Sequence, residues 1–382
     1  MATVDMALVQ KYRQAGYPVA QPVPIEAHRV SALGTEAPWT VTVTRPKDKT
    51  LRPLIVYLPP LGDGDDAPNH WISTWAHAGY AVLAVQALTD DAQVWATPEA
   101  RSGDFVRIAR ARYAQELMPD RLARLSDLLG RVRARSEHGD AGLEGLDWAH
   151  VALAGADLGA FSVQTVATAP AAQLAALAWP IAPLAFIAIS PYATRTASAP
   201  PAPGQCNAPV LMISAREDID SYGVITESAL RHLAFDRLGK GDNFYLELAH
   251  ASHRWLAGVV EAPVTGDATP AHRAAPVAGE AEHGPRRGGN AQRDAMAPGE
   301  GDDDDPLQEK SSRALAAQAA ARLALAKSLS LAMTQAALSE VSFETVSIAF
   351  LDAQLRAQPS ARFWLDETAV RWLQSGDRLK HG

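Results

Sequence analysis

A glycine-flanked aspartate near the middle of the chain constrains the fold more than any other feature. An apolar run, Val151–Ala154, leads into Gly155-Ala-Asp-Leu-Gly159, and small residues typical of a helix follow from Ala160. This pattern predicts a nucleophile elbow, in which a strand, a sharp turn and a helix expose the one side chain at the turn. Serine usually occupies that position, and here it is Asp157. Asp157 therefore either attacks a substrate or marks a site that has lost its catalytic serine.

The rest of the chain alternates short apolar segments with helical patterns. This alternation is typical of an α/β protein with a central, mostly parallel sheet and helices on both faces. Trp39–Thr44 alternates with period two and predicts an early edge strand, and Trp71–Ala78 predicts a short helix. The remaining strands are predicted at Leu54–Leu58, Tyr80–Val85, Val151–Ala154, Leu184–Ile189, Pro209–Ser214 and Phe244–Leu248.

Composition divides the chain into four segments. Residues 1–257 form the predicted α/β core, with a helical insertion over about 88–148 that carries apolar residues at helical spacing. Residues 258–310 are rich in Pro, Gly, Ala and charge, which predicts a disordered insert. The Ala/Leu-rich residues 311–341 predict a long helix. Residues 342–382 are expected to form C-terminal helices that close the core.

The charge balance and the termini restrict the classes of partner. The 382 residues carry 35 basic and 43 acidic side chains, a net charge of −8, which argues against nucleic-acid binding. We find no signal peptide and no segment apolar enough to span a membrane, so a cytoplasmic protein with no membrane partner is expected. The single cysteine, Cys206, excludes an intrachain disulfide. No pattern indicates a metal or a cofactor, and the oligomeric state is left open.

A catalytic acid is expected after the strand that ends near Ser214. The sequence there is Ile213-Ser-Ala-Arg-Glu-Asp218, and open α/β sheets place their sites at such strand ends. Asp218 is the favoured acid. Glu217 and Asp220 are close competitors, although Asp220 could instead cap a helix.

The base is expected after the last predicted strand, in Leu246-Glu-Leu-Ala-His-Ala-Ser-His253. His253 is the favoured base because small residues precede it, and His250 is the second candidate. The chain order is then Asp157, Asp218, His253, which is the order of nucleophile, acid and histidine expected for an elbow of this type.

An oxyanion hole needs backbone N–H groups next to the nucleophile. Leu158 follows Asp157 directly and would supply one of them. The second would come from the loop Pro59-Pro60-Leu61, where the prolines have no N–H and Leu61 is the first possible donor. Gly62 and Gly64 in the same loop could equally serve only a turn.

Taken together, these segments resemble the α/β-hydrolase superfamily, most closely the branch of dienelactone hydrolases and platelet-activating-factor acetylhydrolase-like esterases. The resemblance covers roughly residues 40–257 and 345–375 and implies an α/β-hydrolase fold. The segments that carry it are Leu58-Pro-Pro-Leu-Gly, Gly79-Tyr-Ala-Val, Gly155-Ala-Asp-Leu-Gly, Ile189-Ser-Pro-Tyr, Ser214-Ala-Arg-Glu-Asp, Ala251-Ser-His and Phe350-Leu-Asp-Ala-Gln-Leu.

The chain departs from that family at Pro59-Pro60, where His-Gly is usual, and at Asp157. Aspartate does occur at this position in dehalogenases and epoxide hydrolases, which form an ester that a histidine-activated water hydrolyses. The connection from Tyr192 to Ala208 is too short for their helical cap and its tyrosines. The resemblance implies a hydrolase of a small ester, epoxide or alkyl halide without a cofactor. The alternative is an inactive relative with a binding or scaffolding role.

Overall fold

The computed structural model describes residues 3–30, 39–66, 69–193, 206–220, 222–259 and 306–382. The chain divides into two compact units. The larger unit comprises residues 2–260 and 329–382 and contains the sheet. Of the smaller unit, the described part (306–328) is helical. None of the helices in the described ranges has both the length and the hydrophobicity that a membrane span requires.

The described residues form one nine-stranded sheet in the order β1-β2-β4-β3-β5-β6-β7-β8-β9. The six central strands, β3 to β8, are mutually parallel, whereas β2 and β9 pair antiparallel with their neighbours in that block. The strands are β1 Ile25–Arg29, β2 Trp39–Pro46, β3 Arg52–Leu58, β4 Ala81–Ala87, β5 Leu146–Ala156, β6 Ala185–Ile189, β7 Val210–Glu217, β8 Phe244–Ser252 and β9 Arg378–His381.

Helices connect and cover the strands. Between β4 and β5, the insertion predicted over 88–148 contains three α-helices and three short 3₁₀ turns, Ala92–Ala96, Gln115–Leu117 and Ala141–Leu143. A π-helical turn, Trp364–Thr368, lies near the C-terminus. The α-helices are α1 Met6–Ala15, α2 His70–His77, α3 Pro98–Arg101, α4 Phe105–Arg112, α5 Met118–Glu137, α6 Leu158–Thr168, α7 Ala171–Ala176, α8 Ala229–Asp236, α9 His253–Leu256, α10 Pro306–Leu355, α11 Pro359–Phe363 and α12 Ala369–Trp372.

Both faces of the sheet are buried, and side chains alternate between the two faces along each strand. Ile55 and Tyr57 of β3 join the core that includes residues of α1, α2 and α10, where the rings of Trp71 and Phe343 stack with centroids 3.6 Å apart. Val56 joins the opposite core, which includes residues of α5, α6 and α8. Burial on both faces explains why the central strands read as continuous apolar runs in the sequence.

The α/β class and the mostly parallel sheet predicted from the sequence are confirmed. Every segment predicted as a strand falls on an observed strand, although several observed strands are longer, and the helix predicted over Trp71–Ala78 is α2. The prediction that Trp39–Thr44 is an edge strand was wrong. The segment pairs with both β1 and β4, and β1 lies at the edge. The side chains of β1 are half-buried or exposed and three of the five are charged or polar, so its sequence carries no apolar alternation.

The C-terminal part also differs from the sequence expectation. The helix predicted over 311–341 begins at Pro306 and continues to Leu355, so it includes the start of the predicted closing segment, and the chain ends in strand β9. The predicted disordered insert, 258–310, falls for the most part on residues 260–305, which lie outside the described residues.

The two glycines around the elbow allow α6 to pack directly on the sheet. A Cβ on Gly159 would lie 2.0 Å from the carbonyl oxygen of Leu58, and one on Gly155 would lie 2.6 Å from the carbonyl carbon of Gly159. Both distances are far below van der Waals contact, and the obstructing atoms are backbone. The two glycines therefore allow α6 to approach the backbone of β3 closely.

We predict that Gly159→Ala lowers the free energy of unfolding by about 1–3 kcal/mol, because the methyl group displaces the first turn of α6 from β3. Urea denaturation measures the change. Gly130→Ala in α5 is the matched control, since the nearest atom to a Cβ there is 3.9 Å away. That variant should gain up to about 1 kcal/mol from the better helix propensity of alanine. Equal stabilities of Gly159→Ala and wild type would contradict the packing described.

Candidate active site

Asp157 occupies a strained turn between β5 and α6. Its φ is +53° and its ψ is −111°, in a region that non-glycine residues adopt at a cost of about 1–3 kcal/mol. Backbone hydrogen bonds hold this conformation. The Asp157 N–H donates to the carbonyl of Ile189 at 2.9 Å, and the Asp157 carbonyl accepts from the N–H of Phe161 at 3.0 Å. The turn directs the carboxylate beyond the carboxyl ends of the parallel strands, although its side chain is only 8% exposed.

The structure brings Asp157, Asp218 and His253 together. The Nδ1 atom of His253 lies 2.7 Å from Oδ1 of Asp218, which is hydrogen-bond distance. On the opposite side of the ring, Nε2 lies 3.9 Å from Oδ1 of Asp157, which is too long for a hydrogen bond. The imidazole therefore lies between the two carboxylates, oriented by Asp218 and facing Asp157.

Asp218 is fully buried at the end of β7 and lies in a polar network. The hydroxyl of Ser190 donates to Oδ1 at 3.2 Å, and that of Ser214 donates to Oδ2 at 2.8 Å. The guanidinium of Arg231 lies 3.5 Å from Oδ2. Burial alone would raise the pKa of Asp218, but the charge of Arg231 and the hydrogen bond with His253 outweigh it and lower that pKa. Asp218 is thus kept ionised inside the protein.

Arg231 of α8 is itself completely buried and is held by backbone carbonyls. Its Nη1 donates to the carbonyl oxygens of Ser190 at 2.8 Å and Pro191 at 3.0 Å. Its Nη2 lies 3.4 Å from Nδ1 of His253. The guanidinium therefore joins the loop after β6 to the Asp218–His253 pair.

The two carboxylates together determine the protonation of His253. Burial of the imidazole would lower its pKa, but the hydrogen bond to Asp218 and the negative charges of Asp157 and Asp218 prevail and raise the pKa above the ordinary histidine value. The charged form of the ring is therefore more stable than in an ordinary histidine, in part through the charge of Asp157. Loss of the charge on Asp157 would lower this pKa again.

Tyr113 adds a hydroxyl group next to Asp157. The residue follows α4, its side chain is buried, and its hydroxyl has no hydrogen-bond partner among the described residues. Burial, the charge of Asp157 and the orientation of the hydroxyl towards that carboxylate raise its pKa well above the ordinary value, so the phenol keeps its proton. A buried hydroxyl without a partner is rare in proteins and indicates a donor that is available to a ligand.

Aromatic rings surround Tyr113 and extend over the carboxyl end of the sheet. The ring of Tyr113 lies 5.0 Å from that of Tyr192, and the ring of Phe161 lies 4.5 Å from that of Tyr192. Trp95 and Tyr222 stack with their centroids 4.5 Å apart. These walls form a small apolar cluster that also contains Leu61 and Leu158, separate from the two cores.

The other predicted candidates lie outside the triad. Nε2 of His250 is 3.0 Å from the carbonyl oxygen of Ser375, so its imidazole contacts the C-terminal segment and not the triad. The carboxylate of Asp220 accepts the N–H groups of Tyr222 and Ile225 and so stabilises a loop; α8 begins only at Ala229. Glu217 is exposed at the end of β7.

The two predicted oxyanion donors are close together. Leu61 and Leu158 belong to the same buried cluster, and Leu158 is the first residue of α6, where a helix leaves its N–H groups without internal acceptors. In the loop after β3, the N–H of Gly62 donates to Asp90 and that of Asp63 donates to Pro60. Leu61 therefore remains the candidate donor of this loop.

Reasoning from the sequence missed Tyr113, Ser190 and Arg231. Ser190 directly follows an apolar strand, and this position could have marked it as a candidate site residue. Arg231 lies among the apolar residues of α8, and nothing in the local sequence distinguishes it from the solvated arginines. Tyr113 comes from the insertion between β4 and β5, for which the sequence predicts a helix with apolar residues at helical spacing but no site residue.

We predict that Arg231→Met destabilises the protein by about 3–5 kcal/mol at neutral pH, because Asp218 then keeps a buried charge without its cation. Chemical denaturation at several pH values measures the effect. The folded pKa of Asp218 lies below its unfolded value, so its contribution to stability is present above the unfolded pKa and is lost as the pH falls. In the variant this loss should begin at a higher pH.

Arg107→Met is the matched control, because Arg107 is 65% exposed and pairs with Asp104 on the surface. It should change the free energy of unfolding by less than about 1 kcal/mol. Equal effects of the two substitutions would contradict a role for Arg231 in holding Asp218.

Comparison with known proteins leaves the site to be interpreted from its own geometry. No protein-family model matches the chain, and no curated protein matches it significantly. Within the part of the chain that the structure describes, no group of three or more His, Cys, Asp or Glu side chains is placed to hold a metal ion.

Proposed function

We propose that this chain is an α/β-hydrolase-type enzyme that hydrolyses a small uncharged substrate through a covalent ester on Asp157. The observation that carries the proposal is the Asp157 carboxylate at a positive-φ turn, with the imidazole of His253 between it and Asp218. An inactive site has no physical need to keep a strained carboxylate facing a buried acid–histidine pair. Strain of this kind persists where the surrounding structure enforces it, commonly at functional sites.

In the first step, an oxygen of the Asp157 carboxylate attacks a saturated carbon of the substrate. A carbon–oxygen ester bond forms, and the bond from that carbon to the leaving atom breaks. The leaving atom takes the bonding electron pair. The hydrogen bond of His253 with Asp218 leaves the oxygens of Asp157 without a direct bond to the imidazole, so they remain available as a nucleophile.

In the second step, water hydrolyses the ester. Nε2 of His253 accepts a proton from the water, whose oxygen adds to the carboxyl carbon of Asp157, and the negative charge develops on the former carboxylate oxygen. The N–H groups of Leu61 and Leu158 are the candidates to stabilise that charge. The bond from the carboxyl carbon to the ester oxygen that carries the substrate then breaks, and the alcohol leaves with the proton from His253. Asp157 is left as a carboxylic acid, and its remaining proton passes to the phenolate of Tyr113 after an epoxide, or to water after an alkyl halide, which restores the carboxylate.

The electrostatics of the site suit these two steps. Formation of the ester removes the negative charge of Asp157, which is one of the charges that raise the pKa of His253. The imidazole therefore gives up its proton more readily after the covalent step, when a base is needed. Arg231 and Ser214 keep Asp218 ionised throughout.

Tyr113 favours an epoxide among the possible substrates. When an epoxide ring opens, the leaving oxygen stays on the substrate and develops negative charge, and it needs a proton donor. The protonated hydroxyl of Tyr113 is buried beside Asp157 and faces its carboxylate without a hydrogen bond of normal geometry. The aromatic walls formed by Trp95, Phe161 and Tyr192 fit an apolar body.

We expect His253→Ala to accumulate an ester on Asp157, because the first step needs only the carboxylate while the second needs the base. The experiment incubates the variant with styrene oxide and locates the added mass by peptide mass spectrometry. His250→Ala is the matched histidine control and should accumulate no adduct. His253→Ala/Asp157→Asn should also remain unmodified. If Asp157 carries no adduct in His253→Ala and the wild type turns over neither styrene oxide, benzyl chloride nor phenyl acetate, the non-catalytic alternative is correct.

The same adduct assay tests the role of Tyr113. In His253→Ala/Tyr113→Phe, adduct formation from styrene oxide should slow by roughly 10²–10⁴-fold, the usual contribution of a general acid. Benzyl chloride should be affected less, because chloride leaves without a proton. Tyr192→Phe in the same His253→Ala background is the control. Burial raises the pKa of Tyr192 without a contribution from Asp157, whereas Asp157 contributes to the raised pKa of Tyr113. Equal slowing by both substitutions would remove Tyr113 from the mechanism.

A further inference from the structure

A cavity lies beside the candidate active site. It has a volume of about 380 Å³ and is bounded by α5 and by the carboxyl ends of β3 and β4. Its polar side chains include Asp90, Arg112, Arg121 and Arg124. Asp157, His253 and Tyr113 do not line it. The proposed function makes no use of this space.

One buried carboxylate faces two guanidinium groups in this cavity. Nη2 of Arg121 lies 3.1 Å from Oδ2 of Asp90, and Nε of Arg112 lies 3.7 Å from Oδ1. Asp90 is only 5% exposed, and its Oδ1 receives no hydrogen bond from the described residues. Arg112 is therefore close enough for attraction but too far to donate to Asp90. Its N–H groups remain available to another acceptor.

The charges in the cavity do not balance. The lining contains three arginines and two aspartates, Asp90 and Asp120, which leaves one positive charge in excess. Burial lowers the pKa of Arg121 and the neighbouring charge of Arg112 lowers it further, although Asp90 acts in the opposite direction. A partly enclosed cation without a counter-ion is unfavourable, and an anion that enters the cavity removes this penalty.

The remaining walls are apolar. Trp39, Leu58, Val85, Leu117 and Leu125 line the cavity together with the charged groups. A volume of about 380 Å³ lies within the range of roughly 300–1,000 Å³ typical of small-molecule sites. Apolar walls around a few charged groups are suited to a molecule with a hydrocarbon body and one charged end.

We propose that this cavity is a binding site for an organic monoanion, a carboxylate on an apolar or aromatic body. The planar guanidinium groups of Arg112 and Arg121 match the two oxygens of a carboxylate, and one excess charge suits a monoanion better than a dianionic phosphate. The apolar body then contacts Trp39 and Leu125. This site is separate from Asp157 and does not depend on the proposed hydrolase activity.

The test is calorimetric titration of the full chain with 4-phenylbutyrate, 4-phenylbutanamide and phenyl phosphate. We expect 4-phenylbutyrate to bind and the neutral amide to bind at least tenfold more weakly. Phenyl phosphate should bind more weakly than the carboxylate. Undetectable binding of 4-phenylbutyrate, or equal binding of carboxylate and amide, would overturn the proposal. Tighter binding of the phosphate would overturn the assignment of a monoanion.

Variants locate the site. Arg121→Met and Arg112→Met should each weaken 4-phenylbutyrate binding at least tenfold. Arg112 is the more exposed of the two, so the test remains valid if one of the variants fails to fold. Arg107→Met on the exposed face of α4 and Asp157→Asn in the candidate active site should bind as the wild type does. Wild-type binding by both Arg112→Met and Arg121→Met, or loss of binding in Asp157→Asn, would place the ligand elsewhere and overturn the proposal.

Discussion

The hydrogen bond between Asp218 and His253 is the interaction on which the site depends. It joins the carboxyl ends of β7 and β8, and it requires a carboxylate that is fully buried and still charged. A buried charge is tolerated only with compensating partners, and Arg231 and Ser214 supply them. Through this network, the loops after three parallel strands and helix α8 are held in one arrangement, and the imidazole is directed at Asp157.

The topology of the sheet explains why Asp157 lies at this place. The strand order reverses at β3, because the chain proceeds from β3 to β4 on one side and returns to β5 on the other. The helices that follow β3 and β5, α2 and α6, pack on opposite faces. Such a reversal leaves a crevice at the carboxyl ends of the strands, where open α/β sheets bind their ligands. The elbow and the loop with Leu61 flank this crevice.

The parts of the site that could be predicted from the sequence are local. Asp157, Asp218 and His253 each follow an apolar strand directly, so period, glycine spacing and chain order were sufficient to select them. Arg231 and Tyr113 could not be predicted, because helices bring them to the site and only the tertiary packing decides which helical side chains face inward. Strands β1 and β9 were also missed. They pair at the sheet edges and remain partly exposed, so their sequences lack an apolar pattern. A cap with tyrosines was expected to be absent because the connection after Tyr192 is short, yet the insertion after β4 supplies Tyr113.

The most direct measurement of the central claim is the pKa of the imidazole of His253, followed by NMR in ¹⁵N-histidine-labelled protein. We expect a value above that of an ordinary histidine in the wild type, because Asp157 and Asp218 both favour the charged ring. In Asp157→Asn the value should fall, and in Asp218→Asn it should fall as well. An imidazole of His253 whose pKa is the same in all three proteins would show that it does not lie between the two carboxylates, and would contradict the proposed site.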